Sequence, residues 1–176
     1  MRKYTVEDVM AVNPCENDYP RKRIEQLFAG QDYLTLDDLP KLDIPDEHKL
    51  WVLIRFVLDD RQRRLFAADR DERALLREMD NGFQPNPRSW KAIDVARDFA
   101  EGKASREELM AAARDAQEAA EWAYERAKKR GSSRAARAAA ATWGFAAPAG
   151  EDELKWQLER AMEYAREEGT TAHTSA

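Results

Sequence analysis

The feature that most constrains the fold is an alanine-rich stretch, EELMAAARDAQEAAEWAYERA, in which eight of 21 residues are alanine. Its small and apolar side chains recur at intervals of three and four residues, and charged residues fill most of the other positions. This spacing predicts an amphipathic α-helix with small residues along one face. We call this face the alanine stripe; it consists of Leu109, Ala112, Ala116, Ala119, Ala120, Ala123 and Ala127. Because small side chains let helix axes approach below the usual separation of about 8–10 Å, we expect a second helix to pack closely against the stripe.

The predicted partner of the alanine stripe is a second alanine-rich segment, SRAARAAAATWG, which follows Gly131. The rest of the chain also predicts helices. The run HKLWVLIRFVL is the most apolar segment and predicts a central buried helix, although its composition also suits a short strand. Helix is favoured because no other segment predicts a strand that could satisfy the backbone of this one.

Helix starts are marked by a hydroxyl residue followed three positions later by an acid, as at Thr5–Asp8, Thr35–Asp38 and Ser105–Glu108. We therefore expect an all-α, single-domain bundle of about eight helices over residues 1–168, with closely packed alanine-rich helices in its C-terminal half. The small polar residues of 169–176 predict a flexible tail. In the helix after Asp60, the apolar positions expected to face the core are Leu65, Ala68, Leu75, Leu76 and Met79.

Composition excludes several classes of protein. The net charge of −5 argues against a general nucleic-acid binder, because such proteins neutralise phosphates with a basic face. Cys15 is the single cysteine, so an internal disulfide is impossible. No apolar run approaches the roughly 20 residues of a membrane span, and the first residues lack the apolar core of a signal peptide. We expect a cytoplasmic protein that does not associate with membranes.

Motifs that carry catalysis are missing from the sequence. It contains no phosphate-binding glycine loop, dinucleotide fingerprint or nucleophile elbow, and no Cys/His spacing typical of a metal site. Cys15 could act as a nucleophile with His48 as its base, but a partly buried structural cysteine and a structural or solvated histidine are favoured. We therefore predict a non-enzymatic protein without cofactors or metals.

Two charged clusters are candidate binding sites. Five acids within DDLPKLDIPDE form what we call the acidic ridge: Asp37, Asp38, Asp43, Asp46 and Glu47. Such a ridge can steer a basic partner, or its acids can serve two helix starts. The segment RQRR gives a basic run, Arg61, Arg63 and Arg64, which could contact phosphate or lie at a solvated helix start. A third group of charges, Asp69 to Arg73, predicts ion pairs within one helix.

The middle of the chain resembles a family of small helical proteins that phages, prophages and bacteria encode. The resemblance lies in LWVLIRFVLDDRQRRLFAADRDERAL, in NPRSWKAIDVARDFAEGKASREEL and in the alanine-rich helices that follow. The family pattern R-x-x-x-A-I-x-x-A-R-x-[FW]-x-x-G is matched by Arg88, Ala92, Ile93, Ala96, Arg97, Phe99 and Gly102. Members commonly carry a cysteine before the proline loop, where this chain has Ala67 and Ala68. Some members are named as immunity proteins of bacterial toxin systems.

The resemblance implies a phage- or prophage-encoded protein that binds and neutralises another protein. The target would be a toxin, or a host defence complex such as a CRISPR effector. Both expose basic surfaces that hold nucleic acid, so the acidic ridge is the expected contact, with the loop aromatics Phe83, Trp143 and Phe145 as the alternative. A second hypothesis is a nucleic-acid-associated phage accessory protein that uses the basic run, although no direct binding of duplex DNA is expected.

Overall fold

The computed structural model describes residues 2–82, 84–129 and 150–167. It is mostly helical, at 73% helix, and contains no strand in the described part of the chain, which confirms the all-α prediction. One isolated antiparallel bridge joins Tyr4 to Leu34, whose backbone amides and carbonyls exchange two hydrogen bonds of 2.9 Å. The helices, numbered in chain order, are α1 (Val6–Ala11), α2 (Arg21–Phe28), a 3₁₀ helix (Leu36–Lys41), α3 (Asp46–Val52) with a π-helical turn (Leu53–Val57), α4 (Asp60–Asp80), α5 (Pro87–Ala100), α6 (Arg106–Lys129) and α7 (Glu151–Arg166).

Two compact units are formed by these helices. Residues 2–59 and 154–167 belong to the first unit, and the described residues of 60–153 belong to the second. The prediction of a single domain over residues 1–168 stays a prediction. The predicted tail, 169–176, and the predicted partner helix after Gly131 lie outside the described residues.

The first unit is built around a small apolar core. Ile24 and Phe28 of α2 pack with Leu34, and partly buried apolar residues surround them: Val6, Val9, Met10, Tyr19 and Leu42. Two capping boxes fix the turns around this core, because Thr5 and Thr35 each donate to the carboxylate of the acid three residues later. Both helix starts were predicted from sequence, and both are confirmed.

The apolar run predicted as the central helix is helical but less buried than expected. It forms α3 and the π-helical turn, where the Leu58 amide donates to the Leu53 carbonyl at 2.9 Å, five residues back. Leu53 and Leu58 are buried, whereas Trp51 is 38% exposed. The prediction that this helix is buried on several faces was therefore wrong at Trp51, because residues two apart on a helix lie on roughly opposite sides and Leu53 takes the buried one.

The second unit consists mainly of α4, α5 and α6, in which α5 packs against both neighbours. Its core contains Ala68, Leu75 and Ile93. Leu65 and Ala68 are buried as predicted, but Leu76 and Met79 are exposed. The sequence pattern predicted that both Leu75 and Leu76 face the core. Successive side chains on a helix differ in direction by about 100°, and only Leu75 is buried.

The alanine stripe is a packing face. Ala112, Ala119 and Ala120 are buried, with 6%, 4% and 4% of their surface exposed, and α6 packs against α5. Trp122 and Tyr124 flank the stripe and are exposed. The described partner of α6 is α5, whereas the predicted close packing of the segment after Gly131 on the stripe stays a prediction.

Candidate functional site

The acidic ridge runs from the 3₁₀ helix to the first turn of α3. Within it, Asp38 has a structural role. Its carboxylate accepts from the Thr35 hydroxyl at 2.7 Å and the Thr35 amide at 3.0 Å, and it also accepts from Lys41 Nζ at 3.1 Å. These contacts, led by the Thr35 hydroxyl, lower the pKa of Asp38 to about 2. Asp38 is therefore the N3 acid of the capping box at the start of the 3₁₀ helix, whose N-cap is Thr35.

The other ridge acids are more exposed. Asp46 lies in the first turn of α3 and pairs with Lys49 Nζ at 3.0 Å. Asp37 lies 3.7 Å from Arg166, and both of these side chains are about 60% exposed, so the pair holds the carboxylate weakly. Asp43 and Glu47 are exposed and form no ion pair within the part of the chain that the structure describes. The ridge thus divides into helix-start acids and solvent-facing acids.

An exposed aromatic residue lies beside the ridge. Trp51 follows Glu47 by four residues on α3, so the two side chains share one face of the helix. Buried or half-buried tryptophans at interfaces often carry much of the binding energy, and charged residues around them act mainly on association rate. The acids and Trp51 together provide both features on one short segment.

An apolar cavity of about 270 Å³ opens in the first unit. Its wall contains core residues such as Ile24, Phe28 and Leu34, and residues of α3 and the π-helical turn such as Trp51 and Phe56. The ridge acids are chain neighbours of other wall residues: Leu36, Leu39, Leu42, Ile44 and His48. The exposed acids therefore lie close to the wall of the cavity.

The wall of the cavity contains a hydrogen-bonded pair of polar side chains. The Tyr19 hydroxyl and His48 Nδ1 are 2.5 Å apart, and the two rings meet edge to face with centroids 5.2 Å apart. Burial raises the pKa of Tyr19, and the nearby Arg23 guanidinium opposes this shift. Asp18 and Cys15 also line the cavity.

Cys15 and His48 both line this cavity, but they are not hydrogen-bonded to each other. His48 Nδ1 is engaged by Tyr19, and no hydrogen bond joins Cys15 to His48 among the described residues. Cys15 is exposed, which corrects the prediction that it is partly buried. Tyr19 was missed from sequence because it lies 29 residues from His48 and belongs to no recognisable motif.

The basic run lies in the first turn of α4, where Arg63 and Arg64 both contact Asp60. Arg63 pairs with the Asp60 carboxylate, which lowers the pKa of Asp60. Arg64 donates to the Asp60 carbonyl at 3.1 Å, and its guanidinium lies 5.0 Å from the centre of the Phe99 ring. These contacts are those of a helix start.

Ion pairs between helices hold the second unit together. Arg97 of α5 donates to Asp69 at 2.8 Å and to Glu72 at 2.6 Å, and these hydrogen bonds, with Glu72 first, raise the pKa of Arg97. Glu153, only 3% exposed, accepts from Arg73 and Arg77 at 2.8 Å each. The prediction of pairing within one helix was therefore wrong for these groups, whose partners are distant in sequence.

Metal sites and membrane spans are two further possibilities within residues 2–82, 84–129 and 150–167. No group of three or more His, Cys, Asp and Glu side chains there is arranged to hold a metal ion. None of the helices in those ranges is long and apolar enough to cross a membrane. Phe83, Trp143 and Phe145, the alternative anchors, lie outside the described residues.

Comparison with known proteins gives no assignment. No protein-family model, no curated protein and no solved structure matches the chain. The resemblance to a phage and immunity-protein family therefore stays an expectation, and the function is argued from the site.

Proposed function

We propose that the protein is a non-enzymatic, phage- or prophage-encoded inhibitor that binds and neutralises another protein through the acidic ridge. The observation that supports this most strongly is the placement of Glu47, exposed and without an ion pair in the described part of the chain, on the same face of α3 as the exposed Trp51. Helix starts explain Asp38 and Asp46, and Asp37 and Glu47 also lie in the first turns of their helices. Helix starts do not account for a half-exposed tryptophan that shares a helix face with an unpaired acid.

The expected partner has a basic surface that otherwise holds nucleic acid. Opposite charges raise the rate of encounter, and a field of several like charges accelerates association by roughly 10- to 1,000-fold at low salt. A toxin nuclease and a CRISPR effector both have such a surface. Occupying it with acidic side chains would block the nucleic acid and thereby neutralise the partner.

Trp51 is the expected anchor of the complex. Rim charges change association rates, whereas a desolvated aromatic side chain slows dissociation. The proposal therefore assigns separate kinetic roles to neighbouring residues: Asp37, Asp43 and Glu47 to association, and Trp51 to dissociation.

The alternative, a nucleic-acid-associated accessory protein, has less support. It requires the basic run to be available to phosphate, yet Arg63 is paired with Asp60 and Arg64 packs over Phe99. The negative net charge also opposes binding to phosphate.

The first step of the test is affinity capture from lysates of bacteria that carry toxin and CRISPR systems, followed by kinetics on the purified partner. Changing Asp37, Asp43 and Glu47 to Lys should slow association at low salt by roughly tenfold or more. This variant spares Asp38 and Asp46, whose contacts support helix starts.

A matched control reverses three exposed acids of α6, which are Asp115, Glu118 and Glu125. This variant has the same net charge as the ridge variant, so it separates a local effect from a global one. The proposal is contradicted if both variants slow association equally, or if the ridge variant associates at the wild-type rate. Capture of nucleic acid alone would instead support the accessory-protein hypothesis.

A further inference from the structure

We propose that the apolar cavity of the first unit is a binding site for a small, uncharged, largely apolar molecule that carries one hydrogen-bond acceptor. This inference is independent of the proposed inhibitor function. It concerns the interior of the first unit, not the exposed acids, and it holds or fails whatever protein the ridge contacts.

The size of the cavity sets the size of the ligand. A cavity of about 150 Å³ lined by aliphatic and aromatic side chains holds benzene. The cavity here measures about 270 Å³, so it suits a molecule of roughly ten to twelve non-hydrogen atoms by the same proportion. A single aromatic ring with a short chain has this size.

The composition of the wall sets the ligand's polarity. Aliphatic and aromatic side chains form most of it, including Phe28, Leu39, Val52 and Phe56. Transfer of a mostly hydrocarbon ligand from water to such an apolar cavity lowers the free energy, whereas each polar group without a hydrogen-bond partner would raise it. Small-molecule sites in proteins commonly combine an apolar lining with a few polar groups.

The Tyr19–His48 pair determines where the ligand's polar group is held. If the Tyr19 phenol donates to His48 Nδ1, the neutral imidazole carries its proton on Nε2. If Nδ1 carries the proton and donates to the phenol oxygen, the hydroxyl hydrogen of Tyr19 is not used in the pair. In both arrangements one polar hydrogen remains for an acceptor on the ligand. A carbonyl or ether oxygen meets this requirement.

The surrounding charge excludes an anion. Asp18 lines the cavity and is exposed, and the ridge acids neighbour the wall. A carboxylate ligand would enter a negative field and lose its hydration at the same time. An uncharged acceptor such as a ketone avoids both costs.

Three probes of similar shape test these requirements on the full chain: benzylacetone, which carries a ketone; butylbenzene, which has no acceptor; and phenylbutyrate, which is an anion. Binding is followed by calorimetry and by protein NMR signals of His48 and Trp51. Benzylacetone should bind more tightly than butylbenzene by roughly threefold to tenfold, the range of one net hydrogen bond. Phenylbutyrate should bind most weakly.

Variants locate the site. Val52→Phe fills the cavity and should weaken benzylacetone binding by at least about tenfold, while Val95→Phe, on α5 outside the cavity, should leave it unchanged. If Val52→Phe does not fold, as judged by circular dichroism, Leu36→Phe fills the same cavity from another element.

The role of the polar pair has its own control. Because either Tyr19 or His48 can hold the remaining hydrogen, the double variant Tyr19→Phe with His48→Leu removes both possible donors. It should reduce the affinity for benzylacetone to that for butylbenzene and leave butylbenzene binding unchanged, whereas Tyr33→Phe, outside the cavity, should change neither. A merely structural role of the pair would weaken both probes. The proposal is overturned if no probe shifts the His48 and Trp51 signals, if phenylbutyrate binds best, or if the cavity-filling variant binds as the wild type does.

Discussion

Overpacking the alanine stripe should destabilise the protein at two specific positions. Ala119 and Ala120 are each 4% exposed, so a leucine at either position adds three carbon atoms where the helix face has no free surface. Such insertions into a packed core cost about 1–3 kcal/mol. Leucine has nearly the helix propensity of alanine, so the cost comes from packing and not from the backbone.

The control lies at exposed positions of the same helix. Ala111 and Ala113 are exposed, and changing either to Leu should alter stability by less than about 0.5 kcal/mol. For a chain of this length, 1–3 kcal/mol corresponds to a fall in melting temperature of roughly 2–12 °C. Thermal unfolding followed by far-ultraviolet circular dichroism measures the difference. Equal melting temperatures for Ala120→Leu and Ala113→Leu would refute the assignment of the stripe as a packing face.

Three further predictions concern charge. Glu153→Ala should destabilise the second unit by about 2 kcal/mol, because a buried carboxylate that holds both Arg73 and Arg77 is lost; urea unfolding measures this, and an unchanged midpoint would contradict it. The folded-state pKa of Asp38, about 2, lies below its ordinary value of 3.8. The ionised Asp38 carboxylate therefore stabilises the folded state above about pH 4, and this stabilisation is lost as the pH falls to about 2. Between these pH values, the free energy of unfolding of the Asp38→Asn variant should fall less than that of the wild type. The protein should not bind duplex DNA at physiological salt, and a salt-sensitive mobility shift that depends on the basic run would show otherwise.

Local features of the fold could be predicted from sequence because their causes lie within a few residues. Thr5 and Asp8 form the expected capping box, as do Ser105 and Glu108, with hydrogen bonds of 2.7–3.2 Å. The stripe on α6 follows from periodicity alone. Predicting which faces are buried was less successful, since the exposure of Trp51 depends on where other elements end.

The candidate site was less predictable because it depends on contacts between distant residues. The acidic ridge is recognisable in the sequence as a cluster of acidic residues. Its division into capping and exposed acids follows from the contacts of Asp38 with Thr35 and Lys41. The apolar cavity and the Tyr19–His48 pair have no sequence signature. The ion pairs of Glu153 join residues 76 and 80 positions apart, which no spacing rule connects.

The central claim is that the ridge and Trp51 contact the partner protein, and hydrogen exchange of the free and partner-bound protein tests it most directly. The proposal predicts slower exchange on binding in residues 36–52, which include the 3₁₀ helix and α3, with little change in α6. Protection confined to α6, around the exposed Trp122, with residues 36–52 exchanging as in the free protein, would contradict the claim.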